Sequence, residues 1–234
     1  VQVYEEADRS LLAAGTRQIY DTRVRWADGS LRDVTFYKAV FHDTDGVSMG
    51  QAGAIFDITE KKRLESSLRT LAETDVLTGL LNRRSFTEQA ERRLLDARTT
   101  QEPVTVMLFD LDCFKQINDL HGHAVGDAVL RHISLLISQQ LRADDLLARI
   151  GGDEFAIMLS GTQDGQMVAQ RLPRVAASSP LGEEFGGASC TLSLGAVITY
   201  PAQHSLDDLL NLADRALYQA KHQGRNVALL HDHR

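Results

Sequence analysis

Cysteine is scarce in this chain, a basic excess is missing, and no apolar run is long. The 234 residues include two cysteines, Cys113 and Cys190, which excludes a disulfide framework and a cysteine-rich zinc site. Lys and Arg number 25 against 32 Asp and Glu, a net charge of −7. The deficit is spread along the chain, with 6 basic and 10 acidic residues up to position 60 and 19 and 22 after it. Neither part has the positive surface on which non-specific nucleic-acid binding relies, so no nucleic-acid polymer is expected as a partner. The longest apolar run, Val104 to Phe109 with Thr105 inside it, falls far below the ~18 residues of a membrane span. No secretory pattern opens the chain. The chain in hand is therefore expected to be soluble and cytoplasmic, without membrane contact. Its first residue is Val, which reads as a fragment and leaves the membrane attachment of a longer protein open.

What is present is ordinary for a globular protein: 43% hydrophobic and 24% charged residues, enough for one large domain or two smaller ones. The first sixty residues alternate. Tyr20, Val24 and Trp26 face one way and Asp21, Arg23 and Arg25 the other, a half-buried strand. Asp28-Gly29 marks a hairpin turn before a second strand over 31–41. Asp43, Asp45 and Gly46 mark another turn before a third strand over 48–58. A short helical stretch precedes the three strands. Such a meander makes too small a core to stand alone. Residues 60–73 then place Leu64, Leu68 and Leu71 on one stripe of a charged helix. The stripe suits either packing on its own domain or a short parallel coiled coil between subunits.

After Asp75 strands and helices alternate. The pattern predicts a buried strand over 104–110, a helix over 127–141, and a hairpin of 146–150 with 155–159 about Gly151-Gly152. It continues with a helix over 164–177, a strand over 191–199, a helix opened by Ser205 with Asp208 in a capping box, and a last strand over 226–230. Helices beside a mainly antiparallel sheet indicate an α+β fold.

Two acidic clusters fall where strands end in turns. Asp110 and Asp112 are two apart and share a face on an extended chain. Gly151-Gly152-Asp153-Glu154-Phe155 sets carboxylates beside a turn whose glycines tolerate positive φ and leave room for a bulky ligand. Carboxylates crowded in this way are costly unless a cation is bound, and hard oxygen donors suit Mg²⁺ or Mn²⁺. Solvated turns are the plain alternative, since Asp and Gly are common there. On a regular strand Glu154 points away from the face of Asp153, which ranks Asp153 first as a ligand, Glu154 next and Asp112 third.

The ordered set of motifs resembles the GGDEF diguanylate cyclase family. It comprises 75–84 (Asp75 through Arg84), Asp110 through Asp127, and Arg149 through Phe155, then Ser193-Leu194-Gly195, Ala213-Asp214, Lys221 and Arg225. The segment ending Phe56-Asp57-Ile58-Thr59-Glu60 resembles the C-terminal half of a PAS sensor domain. The resemblance implies a partial antiparallel PAS sheet (1–59), a signalling linker helix (60–74) and a GGDEF domain (75–234) folded like the polymerase palm and the nucleotide cyclases. It implies condensation of two GTP into cyclic di-GMP with release of two pyrophosphates. The alternative is a catalytically silent module that binds GTP or cyclic di-GMP. A polymerase-like nucleotidyl transferase would need a basic template groove.

By match to the family, Asp110, the Leu111 carbonyl, Asp153 and Glu154 hold the metals, with Asp110, Asp153 and Glu154 catalytic. Lys115, Lys221 and Arg225 meet phosphates, as do backbone amides from Cys113 through Phe114 to Lys115 at a helix start. Lys221 at a helix end also suits the helix dipole. Asn118 and Asp127 match the guanine-reading pair; Asp127 equally suits an N-cap for the helix expected to begin there. His123 is either a ligand contact or a structural hydrogen-bonder. Arg142 and Asp145, with Arg149 adding a contact, match an inhibitory product site; the plain alternative is an exposed ion pair. A symmetric product assembled from two halves implies a homodimer.

Overall fold

A computed structural model describes residues 17–161, 164–179, 182, 190–199 and 204–233. The helical stretch expected before Tyr20 lies outside the described residues. The chain divides into two compact units, Val1–Thr70 and Leu71–Arg234.

The first unit is an antiparallel meander of β1 (Arg17–Arg25), β2 (Leu31–His42) and β3 (Ser48–Asp57). Its turns form where Asp and Gly were expected to place them. Asp28 accepts from the Ser30 amide at 2.8 Å, and Gly29 adopts φ 82°. Asp43 accepts from the amides of Asp45 (3.0 Å) and Val47 (2.8 Å), with Gly46 at φ 80°. Alternate residues Gln18, Tyr20, Thr22 and Val24 are half-buried, and Tyr20 stacks on Phe36 at 5.3 Å. Among the described residues of this sheet only Val34 is fully buried, which is the thin core the sequence forecast. Helix α1 (Thr59–Glu73) follows and buries none of its residues; Leu64, Leu68 and Leu71 are all exposed.

The second unit is built on a six-stranded sheet, ordered β4-β6-β7-β5-β8-β9. Its strands are β4 (Leu81–Asn82), β5 (Val104–Leu111), β6 (Leu146–Arg149), β7 (Glu154–Ser160), β8 (Leu192–Thr199) and β9 (Ala228–His233). The four central strands pair antiparallel, and both edges, β4 with β6 and β8 with β9, pair parallel. Helices α2 (Arg83–Thr100) and α6 (Leu206–His222) cover one face; α4 (His123–Ser138) and α5 (Gly165–Ala177) cover the other. Strand β5 is therefore apolar on both sides. Met107, Phe109 and Leu111 meet α4 and α5, while Val104, Val106 and Leu108 meet α2 and α6. Phe109 stacks on Phe155 of β7 at 4.8 Å. The Ser205 capping box forms as expected.

The helix expected over 127–141 begins four residues earlier, and the polar stretch before it is itself helical, as α3 (Phe114–His121). Gly122, at φ 83°, is the single residue that separates α3 from α4. Asp127 therefore lies inside α4 and cannot cap it. The two-residue strand β4 is too short to register as a period-two pattern and was not anticipated.

Candidate active site

The centre of the site is the end of the β5–β7 ladder. Asp110 is directly opposite Glu154, and Phe109 is opposite Phe155. Opposed residues of an antiparallel pair share a face, so Asp110 and Glu154 point to the α2/α6 side while the two phenylalanines fill the other. Glu154 thus shares the face of Asp110, a pairing that the alternation argument from Asp153 did not anticipate. The turn ends at Asp153 and strand alternation starts with Glu154. Asp153 is tied to the same strand end by its carbonyl, which accepts from the Leu111 amide at 3.3 Å.

The glycines of the turn serve by their size. Neither Gly151 nor Gly152 has a positive φ, so the turn does not draw on that tolerance. A Cβ on Gly151 would meet Glu154 Oε2 at 2.5 Å, whereas Gly152 has nothing within 4 Å. Gly151 thus leaves space for the Glu154 carboxylate. Two arginines hold the turn. Arg83 Nε donates to the Ile150 carbonyl at 2.9 Å, and Arg149 donates to the Gly152 carbonyl at 3.0 and 2.8 Å. Arg149 Nη1 also reaches both oxygens of Asp75 at 3.1 and 3.2 Å. The Arg83 and Asp75 contacts span 67 and 74 positions, and no local pattern announced them.

Asp110 is largely buried and pairs with Lys221 Nζ at 2.8 Å. Burial pushes its carboxyl above the usual range, and the charges of Asp153 and Glu154 add to that push, against the opposing Lys221 contact. Negative charge is therefore crowded here, as a cation-binding site requires. Among the described residues no three His, Cys, Asp or Glu side chains already converge on one cation position; Lys221 engages Asp110 instead.

Asp112 belongs to a different environment. It is 7% exposed and accepts from Thr191 Oγ1 (2.7 Å), Ser193 Oγ (2.7 Å) and the Asn226 amide (3.0 Å). Its oxygens are consumed in fastening β5 to β8 and to the approach to β9, so its ranking as a third ligand is withdrawn. Ser193 is opposite Asp110 in the β5–β8 ladder, so Asp112 stays on the face of Asp110, as the two-residue spacing predicts, but is engaged with β8.

Beyond Asp112 the chain turns into α3 through Cys113, which is exposed and left-handed at φ 57°. Lys115 is exposed on the first turn of α3, and Phe114 packs against the core cluster. Arg225 is exposed beyond α6, where Gly224, Arg225 and Asn226 adopt φ 108°, 63° and 50° in succession. The Asn226 bond to Asp112 anchors this left-handed run. Asn118 on α3 lies over Gly126 of α4, where a Cβ would come within 1.9 Å of Asn118 Oδ1. The absence of a side chain at Gly126 thus brings Asn118 beside the turn of α4 that carries half-buried Asp127. His123 is exposed at the start of α4.

Arg142 and Asp145 lie in the loop between α4 and β6. Asp145 accepts from the Arg142 amide at 2.7 Å, and the Arg142 guanidinium pairs instead with Asp164 at 2.9 Å. The expected ion pair between the two is thus replaced. A cavity of about 370 Å³ is lined there by Arg142, Asp145, Asp164, Met167 and Arg171. Arg149 does not line it and is committed to the Gly152 carbonyl and Asp75.

The mixed sheet flanked by helices, with carboxylates at the mouth of its central hairpin, is a palm-like α+β fold. Residues 72–227 match the family described as diguanylate cyclase, GGDEF domain, and the chain belongs to it. It is 38% identical over 173 residues to the response regulator PleD of Caulobacter vibrioides, covering 72% of this chain and 38% of that protein. It is 36% identical over 204 residues to the diguanylate cyclase DgcM of Escherichia coli, covering 87% and 48%. Among solved structures, the GGDEF domain of DgcB from Caulobacter crescentus, in complex with c-di-GMP, superposes with a TM-score of 0.64 at 29% identity, covering 68% of this chain and 95% of that one. The chain thus spans less than half the length of these curated relatives. No described helix is long and apolar enough to cross a membrane.

Proposed function

We propose that the second unit condenses two GTP molecules into cyclic di-GMP, releasing two pyrophosphates. The observation that carries this reading is the opposition of Asp110 and Glu154 across β5 and β7, with Asp153 beside them and Lys221 on Asp110. The donor set fits Mg²⁺ or Mn²⁺: hard carboxylate oxygens, one with its proton affinity raised by burial and then by its acidic neighbours. Asp110, Asp153, Glu154 and the Leu111 carbonyl would hold the metal, whose chemistry there is neutralisation of charge on the reacting phosphate. Asp153 is the candidate to accept the 3′-hydroxyl proton. Lys115, Lys221, Arg225 and the amides from Cys113 through Phe114 to Lys115 meet the phosphate oxygens. Asp127 and Asn118 read the guanine edge, where a carboxylate accepts from N1–H and the amine but is repelled by the acceptor N1 of adenine; His123 flanks them.

Each domain supplies one GTP, so the reaction needs a homodimer, at least transiently. Residues 1–59 act as the C-terminal half of a PAS sensor and residues 60–74 as the linker helix to the catalytic domain, 75–234. Product bound at Arg142 and Asp145 supplies feedback. That the similar DgcM is named a diguanylate cyclase supports the reaction proposed for the second unit. The test is incubation with GTP and Mg²⁺ and identification of the nucleotides by mass. Cyclic di-GMP is expected from the parent, and Asp153→Asn is expected to abolish it with the melting temperature retained. A parent that binds GTP without turnover is the silent binding module; near-parental turnover in Asp153→Asn removes the metal assignment.

A further inference from the structure

The two cysteines of the chain are 77 positions apart in sequence, and the fold brings them to one place. In the β5–β8 ladder Leu111 is opposite Leu192. The register continues past the strand end, where the Asp112 amide donates to the Thr191 carbonyl at 2.8 Å. Cys113 follows Asp112 directly and Cys190 precedes Thr191 directly, so the two cysteines flank this bond. Cys190 Sγ lies 3.3 Å from the Thr191 carbonyl and 3.8 Å from the Asp112 carbonyl, either of which can accept its proton. Burial pushes the Cys190 thiol up to about 12, and surrounding negative charge, that of Asp112 first, adds to the push. Cys113 is exposed and Cys190 is buried.

We propose that Cys113 and Cys190 are an oxidative modification site, at which a disulfide ties the start of α3 to β8. The oxidant is a hydroperoxide, which reaches the exposed sulfur first. The O–O bond breaks as oxygen transfers to Cys113 Sγ, giving a sulfenic acid and, from hydrogen peroxide, one water. Cys190 Sγ then forms the S–S bond and displaces the sulfenic oxygen, which leaves as a second water with the thiol proton. Two thiols and one peroxide thus become one disulfide and two waters. Cys113 is left-handed at the entry to α3, and linking it to Cys190 turns its Cβ toward β8 and moves the backbone from Cys113 to Lys115. The consequence for activity rests on the function proposed above, in which that stretch receives the GTP phosphates.

The reduced full chain is treated with limited hydrogen peroxide, its remaining thiols are blocked with N-ethylmaleimide, and its intact mass and GTP turnover are measured. A monomer lighter by two hydrogens is expected, with no maleimide attached and a linked peptide pair containing Cys113 and Cys190. GTP turnover is expected to fall several-fold and recover on reduction with dithiothreitol. Cys190→Ala, which leaves the substrate site untouched, is expected to keep its turnover when reduced and to stop at a sulfenic acid that dimedone traps. Two maleimides on the peroxide-treated parent, or disulfides between chains only, overturn the pairing. A disulfide with unchanged turnover overturns its regulatory consequence. A disulfide in a chain whose reduced form never turns over GTP supports the pairing and overturns the proposed function instead.

Discussion

Asp110 and Asp112 show how two identical side chains, two residues apart, come to different uses. Asp110 retains a carboxylate that its surroundings disfavour, as the metal-holding role proposed for it requires. Asp112 has spent its oxygens on three donors, one of them from the buried Ser193. Asp112→Ala strands these donors, so a loss of about 2–4 kcal/mol is expected. That corresponds to a fall of roughly 5–10 °C in melting temperature, measured by calorimetry beside exposed Asp119→Ala as a control; equal melting temperatures would show the cluster to be dispensable. Asp75 makes a pH prediction. Burial raises its pKa, but the Thr78 hydroxyl and amide and the Arg149 guanidinium outweigh burial and hold it below 3.8. A depressed carboxylate stabilises the fold above its unfolded value and loses that contribution as pH falls through its folded value. The destabilisation caused by Asp75→Asn should therefore be full near neutral pH and shrink as pH drops below 3.8. Thermal melts of both proteins across that range check it, and a constant difference would contradict it.

At the scale of elements, the approach of α6 to β8 governs where Lys221 sits. Gly195 of β8 lies so close to α6 that a Cβ would meet the Ala213 carbonyl at 2.1 Å and the Leu217 amide at 2.2 Å. Both are backbone atoms and cannot rotate away. Gly195→Ala should push the helix off the sheet, costing about 3 kcal/mol or more, and should weaken the Lys221 contact to Asp110. Gly152→Ala, with open space around it, should leave the denaturant midpoint unchanged. Similar midpoints for the two variants would refute this reading. The α3–α4 pair is arranged by the same device, with Gly126 admitting Asn118.

For the molecule as a whole, the proposed feedback ligand binds away from the metals. The cavity at Arg142 and Asp145 includes none of Asp110, Asp153 or Glu154, so bound product would act by holding two domains apart. Initial rates with added cyclic di-GMP should show non-competitive inhibition in the parent. Arg142→Ala should relieve it with little change in uninhibited rate, because the Arg142 guanidinium is exposed and paired only at the surface, with Asp164. Equal inhibition of both proteins would reduce the loop to an ion pair.

The sequence by itself determined most of the elements and the residues of the carboxylate centre, because these are local. Hydrophobic alternation, the Asp28-Gly29 turn, the Ser205 capping box and the order of motifs around Gly151-Gly152 are each written within a few residues. It did not determine where α4 begins, because the break depends on one glycine between two helical stretches. Nor did it show that Glu154 faces Asp110, since that depends on the residue at which the turn gives way to the strand. The capture of Asp112 by Thr191, Ser193 and Asn226 and the hold of Arg83 and Arg149 on the Gly-Gly turn were decided by tertiary structure alone. Each joins residues distant in sequence, and only strand register and packing bring such partners within the few ångströms at which hydrogen bonds, ion pairs and disulfides act.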